Sequence, residues 1–177
     1  GMLVAEGSPS GVLKNPPDAW CANFLGLGPT LPVRKSFHGR QSLMYETPYG
    51  TFSIPGRISV SESDWNSDNV FYFIPSEAIE STYKSSCENS GSNSYPDMLF
   101  GIIEKVSEKN GIYHTRLRLR PKEDDASPTL EPRNRNEELY IEFDSIDCLG
   151  LKEGEACRFR VRPESCALLP GSAKKPL

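Results

Sequence analysis

Residues 110 and 111 are Asn-Gly, and they stand between two runs in which apolar and polar residues alternate. An Asn-Gly pair so placed is the strongest short-range cue for a two-residue β-hairpin turn. It predicts strands over Leu99–Val106 and Ile112–Arg120. In the second arm Thr115, Leu117 and Leu119 alternate with Arg116, Arg118 and Arg120, which is the period of a strand with one covered face. The pattern recurs where Leu139, Ile141 and Phe143 alternate with Glu138, Tyr140, Glu142 and Asp144. It recurs again where Cys157, Phe159 and Val161 alternate with Arg158, Arg160 and Arg162 before Pro163.

The first half of the chain reads the same way. Leu31–Phe37 and Gln41–Glu46 flank a His38-Gly39 turn, and Thr51–Ile54 follows a turn at Pro48-Tyr49-Gly50. Val70–Ile74 is apolar on both faces, as a buried central strand must be, and Pro75 ends it by removing a ladder donor. With 14 Gly and 15 Pro in 177 residues, many short strands and turns are favoured over long helices. The expected fold class is all-β, with OB-like small β-barrels and one short N-terminal helix.

That helix is predicted over Pro16–Gly26. Pro17 suits a first helical turn, and Asp18 adds negative charge near the positive end of the helix dipole. Trp20, Phe24 and Leu25 fall on one helical stripe, and Gly26, Gly28 and Pro29 stop it. A helix this short is marginal by itself and must dock on something. Residues 81–96 and 122–136 have almost no apolar content and read as polar loops. Phe71-x-Phe73-x-Pro75 is weakly echoed by Phe159-x-Val161-x-Pro163, which hints at two related β units.

Several function classes are disfavoured at once. The formal net charge is -4 and the pI about 5.3, so the chain is a poor general binder of phosphate backbones or anionic membranes. No apolar run reaches the length needed to span a bilayer, and the N-terminus lacks the features of a signal peptide. Gly1 ahead of Met2 reads as an expression scar, so the natural chain is expected to extend upstream. The five cysteines include no C-x-x-C pair and read as free thiols of a reducing cytoplasm. Phosphate-loop, dinucleotide-binding, nucleophile-elbow and zinc-protease motifs are missing. The two histidines, His38 and His114, lie far apart in sequence, and nothing local pairs either with a nucleophile. Neither enzyme activity nor a bound metal is expected. The Ser61-Glu62-Ser63-Asp64 stretch with Asp68 lacks the spacing of a calcium loop and reads as a solvated turn.

The sharpest charge feature is a pair of arginine stripes, Arg116/Arg118/Arg120 and Arg158/Arg160/Arg162. Each sets its guanidinium groups about 7 Å apart along one strand face. One reading is an anion or nucleic-acid surface. The plainer reading makes Glu138, Glu142 and Asp144 their cross-strand partners. Aromatic residues do not interleave along either stripe, which weighs against a single-strand binder.

The N-terminal segment carries a family likeness. Val4-Ala5-Glu6-Gly7-Ser8-Pro9, then Val12-Leu13-x-Asn15-Pro16, Trp20, Ala22-Asn23-Phe24-Leu25-Gly26-Leu27-Gly28 and Leu31-Pro32 follow in order. The segment resembles the region just after the nucleotide-binding domain in ATP-binding subunits of ABC importers, of the iron(III), polyamine and sulfate branch. There a G-[TS]-P-x-E element and a helix ending in F-[LV]-G precede a β-barrel regulatory domain of the TOBE type. Ser10-Gly11 here replaces the usual x-Glu. Leu151–Leu169 is similar to the closing strand pair of those domains, and the middle of the chain agrees only in its strand pattern.

The resemblance implies a regulatory fragment whose ATPase motifs lie upstream, with ATP and Mg bound only in that missing domain. It implies a linker and docking helix over 1–29, a first β unit over 30–80, a flexible loop over 81–96 and a second β unit over 97–177. Trp20, Phe24 and Leu25 would form the docking face. Expected partners are a second copy of the subunit and, through the missing domain, membrane-spanning permease subunits. That places the chain in the cytoplasm at the inner membrane, with no nucleic acid bound. An oxyanion, metal or polyamine effector would meet His38, Arg116, Arg118, Arg158 and Arg160. The alternative is an OB-like nucleic-acid-binding module using the arginine stripes.

Overall fold

The protein was analysed as a computed structural model, which describes residues 7–38, 43–66, 69–80, 96–121, 138–145 and 150–171. Most of both loops expected at 81–96 and 122–136 lies outside these residues, as do Cys87 and Cys148. In chain order the elements are α1 (Pro9–Lys14), α2 (Ala19–Phe24), β1 (Thr30–Pro32), β2 (Lys35–His38), β3 (Leu43–Thr47), β4 (Gly50–Ser53), β5 (Arg57–Ile58), α3 (Glu62–Asn66), β6 (Val70–Phe73), β7 (Ile79–Glu80), β8 (Met98–Lys109), β9 (Ile112–Leu119), β10 (Tyr140–Ser145), β11 (Ala156–Val161) and β12 (Ala167–Pro170). The architecture is all-β, with one sheet closing nearly into a small barrel and only short helices beside it.

The hairpin at 110–111 forms as its residues dictate. Asn110 and Gly111 take φ of 55° and 75°, the left-handed region that this dipeptide reaches at least cost. Lys109 pairs with Ile112 across the turn. The long arms β8 and β9 seed a five-stranded sheet of order β10-β9-β8-β11-β7. A second sheet has the order β1-β6-β12-β5, and a third is the meander β2-β3-β4. All pairings are antiparallel except β12 with β5.

Two of these sheets join the stretches read as separate units. Strand β12 lies against β6, and β7 lies against β11. One core cluster draws on Leu31, Tyr45, Phe52 and Tyr72 from the first stretch and on Leu99, Leu117, Ile141 and Phe159 from the second. Asp97, with φ of 62°, adds a polar tie at the start of β8. Its carboxylate accepts from the Ser53 backbone N–H and hydroxyl, both at 2.7 Å, and so pins β4 to β8.

Strand β6 is central in its sheet and buried on both faces, as its unbroken apolar run predicts. Tyr72 faces the barrel core, while Phe73 faces outward into a second small cluster. Ala19 and Ala22 of α2 close that cluster over Phe73, Ala167 and Leu169. The helix is shorter than the expected Pro16–Gly26, because the two prolines precede it and Asp18 is its N-cap. The Asp18 carboxylate accepts the Cys21 N–H at 2.7 Å. At the other end Gly26, with φ of 65°, lets Leu27 N–H reach Ala22 O at 3.0 Å, a Schellman closure.

Two further helices were not read from the sequence. Pro9–Lys14 starts on Ser8, whose side chain caps Gly11 N–H, with a proline at the first helical turn. Glu62–Asn66 forms where a solvated turn was expected. Asp64 accepts from the Ser61 N–H and hydroxyl there, at 2.8 and 2.6 Å, and the turn stays largely exposed. Among the described residues no helix is long and apolar enough to cross a membrane.

Candidate functional site

Two surfaces carry the residues singled out from the sequence. The first is the outer side of α2. Its inner side holds small residues only, so the helix lies close against the sheet. Hydrogen bonds fix it at both ends. Arg57 donates to Asn15 Oδ1 at 2.7 Å and to the Pro16 carbonyl at 3.1 Å, and Asn23 and Thr30 exchange side-chain bonds at 2.8 and 3.1 Å. Trp20 and Phe24, four residues apart, therefore project outward together. Their rings stack at 5.1 Å with 10° between planes, and they stand 52% and 74% exposed. Leu25 beside them is also exposed. The stripe expected as the docking face is thus open to solvent, and the alanines hold the helix to its own barrel.

The second surface is the outer face of the five-stranded sheet. Its inward residues Leu99, Ile103, Leu117, Ile141, Phe143, Phe159 and Val161 fill the core. The residues between them form a grid whose rows run across the strands. Asp144, His114 and Ser107 make one row, and Glu142, Arg116 and Lys105 the next. Tyr140, Arg118, Ile102 and Ala156 make the third.

The grid holds an irregularity. Between Ile103 and Lys105 the β8 register shifts by one residue, so Glu104 is the extra residue of a β-bulge. Its carboxylate reaches two arginines of the neighbouring strand, lying 3.4 Å from Arg118 Nε and 3.8 Å from Arg116 Nε. On the far side Glu142 lies 3.8 Å from Arg116 Nε, and Glu138 accepts from Arg118 Nη1 at 2.7 Å. The Arg116 guanidinium also sits 4.2 Å above the Tyr140 ring, close enough for a cation–π contact. The Tyr140 hydroxyl donates to Glu138. The bond to Glu138 pushes the Arg118 guanidinium further up, while bonds from Tyr140 and then Arg118 hold the Glu138 carboxyl below the usual carboxylate range. Arg116 and Arg118 consequently form a charge ladder closed on both sides.

The β11 stripe has different neighbours. Arg160 lies 3.7 Å from Glu80, and Arg162 donates to the Glu77 carbonyl. Arg158 sits opposite Phe100 and has no ion pair among the described residues. The fifth candidate, His38, is on β2 opposite Leu43, on a different sheet from the arginines. The arginines of β9 and β11 share one sheet with β8 between them, and β2 belongs to another.

His114 is where sequence reasoning saw least. Its Nδ1 lies 2.6 Å from Asp144 Oδ1, a base oriented by a carboxylate. Ser107 is opposite it in register, yet no hydrogen bond links Ser107 to the imidazole. Both members of the His114–Asp144 pair are well exposed, and catalysis needs a nucleophile held against the base. Among the described residues no group of three or more His, Cys, Asp or Glu side chains is arranged to hold a metal ion. Cys21, Cys157 and Cys166 are buried. Burial pushes the Cys166 thiol up to about 12, which leaves it inert at neutral pH.

Two contributors escaped the sequence. Glu104 could have been found, because Ile103 and Val106 are three apart and break the alternation of β8. Phe100 could not, since its place beside Arg158 depends on the distant pairing of β8 with β11.

No family model matches the chain, and no match was found among curated proteins.

Proposed function

We propose that the chain is a regulatory and subunit-contact domain of an ATP-driven importer, and that its Trp20–Phe24 face seats a second copy of the same subunit. One observation carries this reading. A Trp and a Phe are stacked on the exposed side of a helix that is already fixed to its own barrel. Monomeric proteins seldom leave adjacent large aromatics in water without a partner, and Trp is enriched at the centres of protein interfaces. The sequence likeness of residues 4–32 to the segment that follows importer ATPase domains supports the same reading. A domain of this kind works mechanically. It keeps two subunits in contact while the motors open and close, and it biases one of those states through the strength of that contact. It would act in the cytoplasm, at the membrane that holds the permease, with ATP bound elsewhere in the complex.

Sedimentation equilibrium over a wide concentration range tests the contact. Reversible dimerisation that is weakened at least tenfold by Trp20→Ala with Phe24→Ala is the expected result. A strict monomer at every concentration contradicts the reading.

A further inference from the structure

The fourth row of the outer grid is unlike the three above it. Arg120 donates its backbone N–H to the Phe100 carbonyl at 2.9 Å, and Arg158 is the register partner of Phe100 on the other side. Arg120, one residue past β9, Phe100 on β8 and Arg158 on β11 therefore stand side by side in register, with the phenylalanine between the two arginines. Phe100 is 36% exposed although strands flank it on both sides. Arg158 has no ion pair among the described residues. Glu138, whose carboxyl feels the Arg120 charge, is already bonded by Arg118 and Tyr140. Arg160 is two register positions beyond on the same face, opposite Met98, and Ile102 and Ala156 extend the apolar floor on the other side.

We infer that this row binds one internal nucleotide of a single-stranded nucleic acid, with its base stacked on Phe100 and its two flanking phosphates on Arg120 and Arg158. The geometry selects this ligand over others. Neighbouring strands lie about 4.8 Å apart, so the two arginine backbones stand about 10 Å apart across the ring. Long, flexible stems then bring each guanidinium to a phosphate oxygen. A base with a phosphate on either side is the repeating unit of a single strand, whereas a free mononucleotide offers one phosphate site. Stacking on an aromatic face tolerates any base, so the site reads strand structure and not sequence. The acidic pairing of Arg116 and Arg118 confines the contact to this row, in keeping with a chain of negative net charge. The site is independent of the subunit contact at α2, because it uses no residue of that helix.

Fluorescence anisotropy with a labelled short oligothymidylate in low salt tests the site, using the full chain. Phe100→Ala should weaken binding about fivefold or more, the loss of one stacked base. Arg158→Ala should weaken it and lower the salt slope by about 0.7, one phosphate contact on a single strand. An abasic strand should bind wild type as weakly as oligothymidylate binds Phe100→Ala. Arg116→Ala, in the paired ladder, should leave binding unchanged. No detectable binding in low salt overturns the proposal. So does equal binding by wild type and Phe100→Ala, or an Arg116→Ala loss as large as that of Arg158→Ala. Competition by a free mononucleotide as effective as that of the strand, per nucleotide, overturns the two-phosphate geometry. All three variants are at the surface, and matching thermal midpoints confirm that each is folded.

Discussion

The two arginine stripes are nearly identical as sequence and differ in what stands beside them. Each alternates three arginines with apolar residues that enter the same core. On β9 the neighbours are β10, which presents Glu138, Glu142 and Asp144, and the β8 bulge, which presents Glu104. On β11 the neighbours are β8, which presents Met98 and Phe100, and β7, which presents Glu80 alone. An arginine stripe is therefore neither a binding surface nor a structural ladder in itself. The strand beside it decides, and that strand is chosen by topology.

If the difference is one of neighbours, stability should reside beneath both stripes and barely in them. The largest effect belongs to Phe159, buried under the β11 stripe with its ring 5.0 Å from that of Phe143. Phe159→Ala should cost about 3–5 kcal/mol in urea unfolding. A loss below 1 kcal/mol would show that the two stripes do not share a packed core.

Next comes the Cys166 thiol, buried near Tyr72 in the same core. Desolvation pushes it from 9.0 up to about 12, and desolvation pushes the Tyr72 hydroxyl up as well. The folded state thus keeps a thiol proton that the unfolded chain releases above about pH 9, and a phenol proton that it releases above about pH 10. Stability is fully present below the lower of these and falls as pH rises toward 12. Each such group adds about 1.4 kcal/mol per pH unit to the decline, and Cys166→Ala should remove one group's share. Denaturant midpoints from pH 8 to pH 10.5 measure it. An unchanged slope in Cys166→Ala would mean that the thiol is not held neutral by burial.

The surface effects are smaller and of unequal size. Glu104→Ala leaves Arg116 and Arg118 with only their β10 partners and should lower stability by less than about 1 kcal/mol, an effect that fades in high salt. Arg158→Ala should change stability by under about 0.5 kcal/mol in either direction. A larger loss for Arg158→Ala than for Glu104→Ala would reverse the contrast between the stripes.

The sequence displayed what is local. The 110–111 hairpin, the buried β6 run and the alternating strands each depend on residues a few positions apart, and each lies where its pattern places it. The charge pairing of β9 with β10 was also legible, because an acidic and a basic stripe follow one another in the chain. What depends on distant pairing was not legible. The neighbours of β11, the exchange of β7 and β12 between the two halves and the Arg120–Phe100–Arg158 row all join residues far apart in sequence. How α2 sits on its own barrel was not legible either, for a different physical reason. A helix pressed closely onto a sheet of aromatic and branched residues favours alanine at the contact, as Ala19 and Ala22 show, and the large rings are left on the outside.

The Trp20–Phe24 contact is tested most directly by acrylamide quenching of Trp20 fluorescence as a function of protein concentration, in a Trp65→Phe background. A face that seats a second copy should become protected as concentration rises, and Phe24→Ala should abolish that protection. Trp20 quenched to the same extent at every concentration would contradict the contact, and with it the regulatory role built upon it.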